Sequence, residues 1–169
     1  GLAEPVSKNV TIEAQLSGYY ADQQKVDRLD LGFAEVNFGP RFATDNGALS
    51  VKPYAIEKEI LLGDDPYESA YGGGLLTRWT YADGWWVEPQ FEYKNRSFYK
   101  TGNYPLAPDQ TGELFTYAVN LNGQISDQVS WSSRLGFNDN HAAASYQSYD
   151  QYFANIGMQF GFDLFCVDN

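Results

Sequence analysis

A chain of 169 residues is long enough for one domain, and no shift in composition marks a boundary inside it. Its formal net charge of −11 excludes nucleic acid as a partner, because phosphate binding requires a clustered basic face. Its short apolar runs exclude a membrane-spanning helix, which needs about 20 consecutive apolar residues. The 17% aromatic content and the 16 glycines favour strands and turns over packed helices.

Apolar and polar side chains alternate with a period of two residues through most of the chain, which is the pattern of β-strands. In the clearest segment, residues 85–97, Trp85 and Phe91 share one face. Glu88 and Lys94 share the opposite face. In chain order, the alternation predicts eight strands at about 9–20, 27–42, 48–60, 69–81, 85–97, 112–125, 129–138 and 150–165.

The second of these segments changes its apolar parity part-way along. Leu31 and Phe33 fall on one side of the alternation, whereas Val36 and Phe38 fall on the other. One extra residue near Phe33 and Ala34 would produce this change, so the pattern predicts a β-bulge there.

The connections between the segments differ in length. Short turns are predicted at residues 44–47, 82–84 and 126–128. Longer loops are predicted at residues 21–26, 63–68, 97–111 and 139–150. This alternation is typical of outer-membrane barrels, which have short periplasmic turns and longer outer loops.

Two kinds of barrel fit an alternating pattern. A soluble lipocalin-like barrel has its apolar side chains inside, and a membrane barrel has them outside. The charged side chains of the polar faces and the aromatic residues near the strand ends favour the membrane arrangement. We therefore predict that residues 1–169 form a single all-β domain, a transmembrane antiparallel up-and-down β-barrel of eight strands in a bacterial outer membrane.

Two sets of residues follow from that arrangement. Charged side chains of the polar faces would meet inside the barrel in a lumen charge network of Glu13, Lys52, Arg78, Glu88, Glu92, Lys94, Arg96, Arg134 and Asp163. Buried charges of mixed sign can pair, and a small eight-stranded interior is filled by its side chains. Amphipathic rings would form two aromatic girdles at the membrane interfaces, from Tyr19, Tyr20, Trp79, Tyr81, Trp85, Trp131, Tyr149 and Tyr152.

Residues 71–79, 86–88, 93–96 and 156–162 carry a resemblance to small outer-membrane β-barrels. More narrowly, they are similar to the C-terminal barrels of FecR-domain-containing or surface-lipoprotein-assembly-modifier-like outer-membrane proteins. The segment 155–162 resembles the signal that outer-membrane assembly machinery reads. The chain departs from that pattern because residues 166–169 follow the closing aromatic residues.

No catalytic, cofactor or metal site is predicted. His141 is the only histidine, and Asp139 and Ser145 lie near it in sequence, as a barrel enzyme that modifies lipid would require. No catalytic motif surrounds it, so a polar loop is the interpretation that we prefer. The acidic residues Asp64 and Asp65 lack the spacing of a calcium-binding loop.

The function that we predict is non-enzymatic: a membrane anchor or interaction protein that works through its outer loops, chiefly 97–111 and 138–150. Its predicted partners are outer-membrane lipid and lipopolysaccharide, with a protein or a surface polymer at the outer loops, and no nucleic acid. One alternative is a pore or transport component that contributes to a larger or oligomeric barrel. A second alternative is a barrel enzyme that modifies lipid.

Overall fold

The computed structural model describes residues 1–21, 30–63, 65–102 and 104–160. These described residues form nine strands and two short 3₁₀ helices, Ala107–Gln110 and Ser145–Gln147. The strands are β1 Leu2–Ser7, β2 Val10–Ala21, β3 Leu31–Ala43, β4 Leu49–Leu62, β5 Asp65–Ala82, β6 Trp85–Phe98, β7 Gly112–Ser126, β8 Val129–Ala142 and β9 Tyr149–Phe160. The predicted strand positions 27–29 and 161–165 lie outside the described residues.

All nine strands form one sheet in the order of the chain, and each strand is antiparallel to the next. This arrangement confirms the prediction of an all-β, antiparallel, up-and-down fold. The predicted count of eight strands is wrong, because β1 precedes the first alternating segment. The segment was missed because it is short and contains Glu4 and Pro5. Proline is tolerated in β1 because β1 is an edge strand, where one row of backbone groups needs no partner strand.

The sheet is not closed in the part of the chain that the structure describes. Among the described residues, each interior strand pairs on both sides, whereas β1 pairs only with β2 and β9 pairs only with β8. The structure therefore shows an open sheet of nine strands, and the closed barrel of eight strands stays a prediction.

The predicted bulge in β3 is also wrong. The β2–β3 register runs without a shift through the pairs Tyr19–Phe33 and Gly18–Ala34. The parity changes because Phe33 turns to the polar face near the end of its strand. There its ring lies 5.6 Å from the ring of Tyr19, and Lys58 Nζ lies 5.9 Å from its centroid. The register shifts that the described strands do show fall beside the turns, as between Thr80 and Ala82.

The turns follow from local chemistry. Asp83 and Gly84 connect β5 to β6, and Gly84 adopts a φ of +71° that glycine reaches at little cost. The predicted long loop at 63–68 is wrong, since β4 continues to Leu62 and β5 begins at Asp65. Its acidic residues resemble a loop in sequence, but the carboxylate of Glu68 is buried beside Lys58.

The sheet curves towards its polar face. Lys94 Nζ on β6 lies 3.2 Å from Glu35 Oε2 on β3, although three strand spacings in a flat sheet amount to about 14 Å. The apolar side chains therefore lie on the convex face, where Leu16 is 70% exposed and Ile156 is 77% exposed. This polarity is the reverse of a soluble protein, which covers its apolar face.

Candidate functional site

The centre of the concave face is organised around Lys94. Its ammonium nitrogen lies 2.9 Å from Glu92 Oε1 on the same strand and 3.2 Å from Glu35 Oε2 on β3. The side chain of Lys94 is 13% exposed, so both ion pairs are largely removed from solvent. One cation therefore joins two carboxylates across four strands of the curved sheet.

Tyr54 continues this network towards β8. Its hydroxyl donates to Glu92 Oε2 at 2.9 Å and accepts from Gln90 Nε2 at 2.8 Å. The Gln90 carbonyl oxygen in turn accepts from Arg134 Nη2 at 3.0 Å. Gly74 leaves space for the Tyr54 ring, because a Cβ at that position would lie 2.5 Å from Tyr54 Cζ. A continuous chain of polar contacts thus runs from β3 to β8.

A second cluster lies around Glu13 on β2. Arg41 donates to both oxygens of its carboxylate, at 2.6 Å and 3.1 Å, and Lys52 Nζ lies 3.1 Å from Oε2. The two-point contact with a guanidinium is the strong form of a carboxylate ion pair. Arg41 also donates to Ser50 Oγ at 3.1 Å, which connects the cluster to β4.

Two further ion pairs lie on this face. Lys58 Nζ is 3.3 Å from Glu68 Oε2. Arg78 Nε donates to Glu88 Oε1 at 2.6 Å, and its guanidinium lies 5.3 Å from the ring of Trp86. Each pair joins neighbouring strands, so it strengthens local pairing more than it fills the centre.

Arg96 and Arg134 have neutral partners. Arg96 donates to the side-chain oxygen of Asn140 and lies 5.2 Å from the ring of Phe98. Arg134 donates to Gln90 and lies 5.7 Å from the ring of Phe153. Neither has a carboxylate within ion-pair distance in the described ranges, and Asp163 lies outside them.

Among the described residues, the concave face carries more cations than carboxylates. Its seven cationic side chains there are Arg41, Lys52, Lys58, Arg78, Lys94, Arg96 and Arg134. Its five carboxylates there are Glu13, Glu35, Glu68, Glu88 and Glu92. The described part of this face therefore does not share the acidic excess of the whole chain.

The residues predicted for the aromatic girdles lie near both ends of the strands. At the ends joined by short turns, Trp79 lies 6.0 Å from Tyr81 and Trp85 lies 6.0 Å from Trp131. At the opposite ends, the ring of Tyr152 lies 4.9 Å from that of Phe137, and Tyr149 begins β9.

Tyr19 and Tyr20 are neighbours on β2, so they point to opposite faces. Tyr20 lies on the convex side, and its hydroxyl donates to Asp30 Oδ2 at 2.8 Å. Tyr19 belongs to the concave side with Phe33. Only one of the two can therefore face the surroundings of the convex surface.

His141 lies near the end of β8, beyond the apolar stripe of the convex face, which ends at Phe137. Its Nε2 is 2.8 Å from Asp139 Oδ1, and its side chain is 62% exposed. Ser145 lies in the second 3₁₀ helix, and no hydrogen bond joins it to His141 in the described part of the chain. The structure thus brings together His141 and Asp139 but not the nucleophile that an acyl-transfer site requires.

The carboxylate of Asp139 raises the pKa of His141, through a hydrogen bond first and through its charge second. We expect an NMR titration of this single histidine to show a midpoint above 6.5, and Asp139→Asn to bring it down. Because the folded-state pKa is raised, the pair stabilises the fold fully below the ordinary histidine pKa. The stabilisation is lost as pH rises through the raised value. An unchanged midpoint in Asp139→Asn would contradict this assignment.

The described residues contain no group of three or more His, Cys, Asp or Glu side chains placed to hold a metal ion. Asp64, named above with Asp65 for calcium, lies outside the described ranges. Neither described helix has the length or apolar character to cross a bilayer.

Comparison with protein-family models, curated proteins and solved structures finds no match for this chain. The similarity to FecR-domain-containing and surface-lipoprotein-assembly-modifier-like barrels therefore stays a prediction.

Several members of the concave face were absent from the predicted lumen charge network. Arg41 and Glu35 lie in β3, where the inferred bulge obscured which parity was inward. Glu68 lies at the end of the segment that was predicted as a loop, 63–68, and Lys58 lies in the predicted strand 48–60 but was not assigned to the network. An uninterrupted alternation through β3, β4 and β5 would have identified all four.

Proposed function

We propose that this chain is a membrane-spanning β-barrel protein of a bacterial outer membrane, with a filled polar interior and no enzymatic activity. The observation that carries this proposal is the reversed polarity of the curved sheet. Ion pairs such as Lys94–Glu35 bridge distant strands on the concave face, while apolar side chains such as Leu135 cover the convex face. Hydrocarbon is the solvent that favours such an exterior.

The position of the apolar stripe also supports a barrel with tilted strands. One row of paired residues crosses the sheet from Ala14 on β2 to Asp150 on β9. On β2 this row passes through the middle of the convex apolar stripe, between Ile12 and Leu16. On β9 it passes beyond the end of the stripe, which begins at Tyr152. Strands tilted by about 35–45° to a barrel axis produce such an oblique stripe.

The role that we infer is that of an anchor or interaction protein. In a closed barrel of this size, the network around Lys94 and Tyr54 would fill the interior and leave no water-filled path. The longer connections, which join β6 to β7 and β8 to β9, expose apolar side chains, including Leu106 and Tyr146. These loops would contact a protein partner or a surface polymer, and the convex face would contact outer-membrane lipid and lipopolysaccharide.

The proposal predicts membrane insertion without conductance. Chain diluted from urea into dilauroylphosphatidylcholine vesicles should float with the lipid in a density gradient and resist carbonate extraction. Planar bilayers containing it should show no stepwise current. Folding to a monomer in detergent-free buffer, with no flotation, would contradict the membrane assignment.

A pore or transport component is the second candidate. The excess of cationic side chains among the described residues of the concave face favours it, because a water-filled lumen lined by these seven cations and five carboxylates would select anions. Stepwise, anion-selective currents from the floated protein would replace the anchor proposal by this one.

A further inference from the structure

The edge of β2 is only half occupied. β1 pairs with residues 10–14 of β2, and no strand lies beside residues 15–19 on that side in the described chain. Within the same described residues, β9 pairs along one edge only. Unpaired backbone groups cannot face hydrocarbon, so a membrane location requires both edges to be paired. The inference below rests on the proposed function in this respect.

We propose that β9 pairs with the edge of β2 in the register that places Ile156 opposite Leu16. In this arrangement β9 replaces β1 beside residues 12–14 of β2. β2 and β9 are separated by an odd number of steps in an antiparallel sheet, so they run in opposite directions. β1 and β9 run in the same direction. Pairing β9 with β2 therefore keeps every pair antiparallel, whereas pairing β9 with β1 does not.

The convex side chains of the two edges match in this register. Leu16 faces Ile156, Ala14 faces Met158, and the register ends with Tyr20 opposite Tyr152. Leu16, Tyr20, Tyr152, Ile156 and Met158 are all exposed large side chains in the open sheet. Closure would continue the apolar stripe from β9 onto β2, and it would place Tyr20 and Tyr152 together at one end of the stripe.

The concave side chains match as well. Tyr19 faces Phe153, which forms an aromatic pair, and Glu13 faces Gln159, whose amide can donate to the carboxylate. A slip of one residue would turn every side chain of β9 to the wrong face.

Strand tilt limits the larger slips. The row of pairs from Ala14 reaches β9 at Asp150, and Met158 lies eight residues further along. This stagger over eight strands gives a tilt of about 35°, whereas a stagger two residues smaller gives about 27°, below the usual range. A stagger two residues larger gives an allowed tilt of about 41°, but it separates Tyr19 from Phe153 and Glu13 from Gln159.

Beside residues 12–14 of β2, β1 fits less well than β9 does. It places Glu4 opposite Ile12 on the convex face, where β9 would place Phe160. Every residue of β1 is exposed. A carboxylate in the apolar stripe is unfavourable in lipid, so insertion favours β9 over β1 at this position.

Disulfide cross-linking tests the register in the floated protein. In a Cys166→Ser background, Leu16→Cys is combined with Ile156→Cys, and in matched controls with Ala154→Cys or Met158→Cys. All these side chains lie on the convex face, so the concave network stays intact. We expect at least about tenfold more intrachain disulfide for the Ile156 pair, because only directly opposite residues meet the short Cβ separation of a disulfide.

A second comparison tests the exchange of strands. Protein floated with its cysteines reduced, and oxidised afterwards, should form the disulfide of Ile12→Cys with Phe160→Cys and little of the disulfide of Glu4→Cys with Ile12→Cys. A Glu4–Ile12 disulfide as abundant as the Ile12–Phe160 disulfide in floated protein would overturn the exchange.

The remaining outcomes separate this inference from the membrane proposal. The proposed β9–β2 register is overturned if floated protein cross-links better through Ala154 or Met158, forms disulfides between two chains, or forms none. Each of these results leaves the membrane assignment standing. Protein that does not float overturns both, and that failure is seen in the gradient before any cysteine is oxidised.

Discussion

Leu135→Arg should destabilise the lipid-embedded chain by about 2–4 kcal/mol, the cost of a cation near the middle of the hydrocarbon on a barrel's outer face. Leu135 lies on the convex face of β8 in the centre of the apolar stripe, and half of its surface is exposed. In water the same change would replace an exposed apolar side chain by a charged one, and it would alter stability by less than about 0.5 kcal/mol. Urea unfolding in vesicles, followed by tryptophan fluorescence, measures the difference.

Asp150→Arg is the matched control for this prediction. Asp150 lies on the same face, one strand away, but beyond the end of the apolar stripe. An arginine there should cost about 0–1 kcal/mol, because the penalty falls towards the interface. Equal effects of the two substitutions in vesicles would show that the convex face does not enter hydrocarbon.

Much of the fold could be predicted from the sequence because strand periodicity is a local property. In segments such as 85–97, apolar and polar or charged side chains alternate without interruption. The observed strand β6 extends over Trp85–Phe98. Pairing order follows as well, since short connections join antiparallel neighbours. Glu13, Lys52, Arg78 and Glu88 could be assigned to one face on parity alone, and the structure joins them in ion pairs.

The features that could not be predicted depend on distant parts of the chain. β1 has no alternation of its own and becomes a strand only because β2 offers it an edge. Phe33 changed the apparent parity of β3 because its environment is set by Tyr19 and Lys58, which sequence spacing does not place beside it. Closure depends on two edges separated by most of the chain, and periodicity carries no information about their contact.

Lys94→Met should lower the free energy of unfolding by about 3 kcal/mol, the lower end of the cost of breaking a buried ion pair by removing one partner. Lys94 is the only cation within ion-pair distance of Glu35 in the described residues, and it also holds Glu92. Its removal leaves two carboxylates facing each other on the concave face. The methionine is an unbranched side chain only one atom shorter than lysine, so the loss reports charge more than packing. Urea unfolding of the floated protein measures it.

Neutralising one stranded carboxylate should recover part of this loss. We expect Lys94→Met with Glu92→Gln to be more stable than Lys94→Met alone, because an amide at that position can still accept from Tyr54 and adds no charge. Lys100→Met, in the connection after β6, should change stability by less than about 0.5 kcal/mol, since that lysine is exposed. If Lys94→Met behaves like Lys100→Met, the concave face is wet and its ion pairs are screened, and the filled interior that supports the anchor proposal is absent. If the double variant is instead less stable than Lys94→Met, the Glu92 carboxylate is held by Tyr54 and the fold does not need Lys94 to balance its charge.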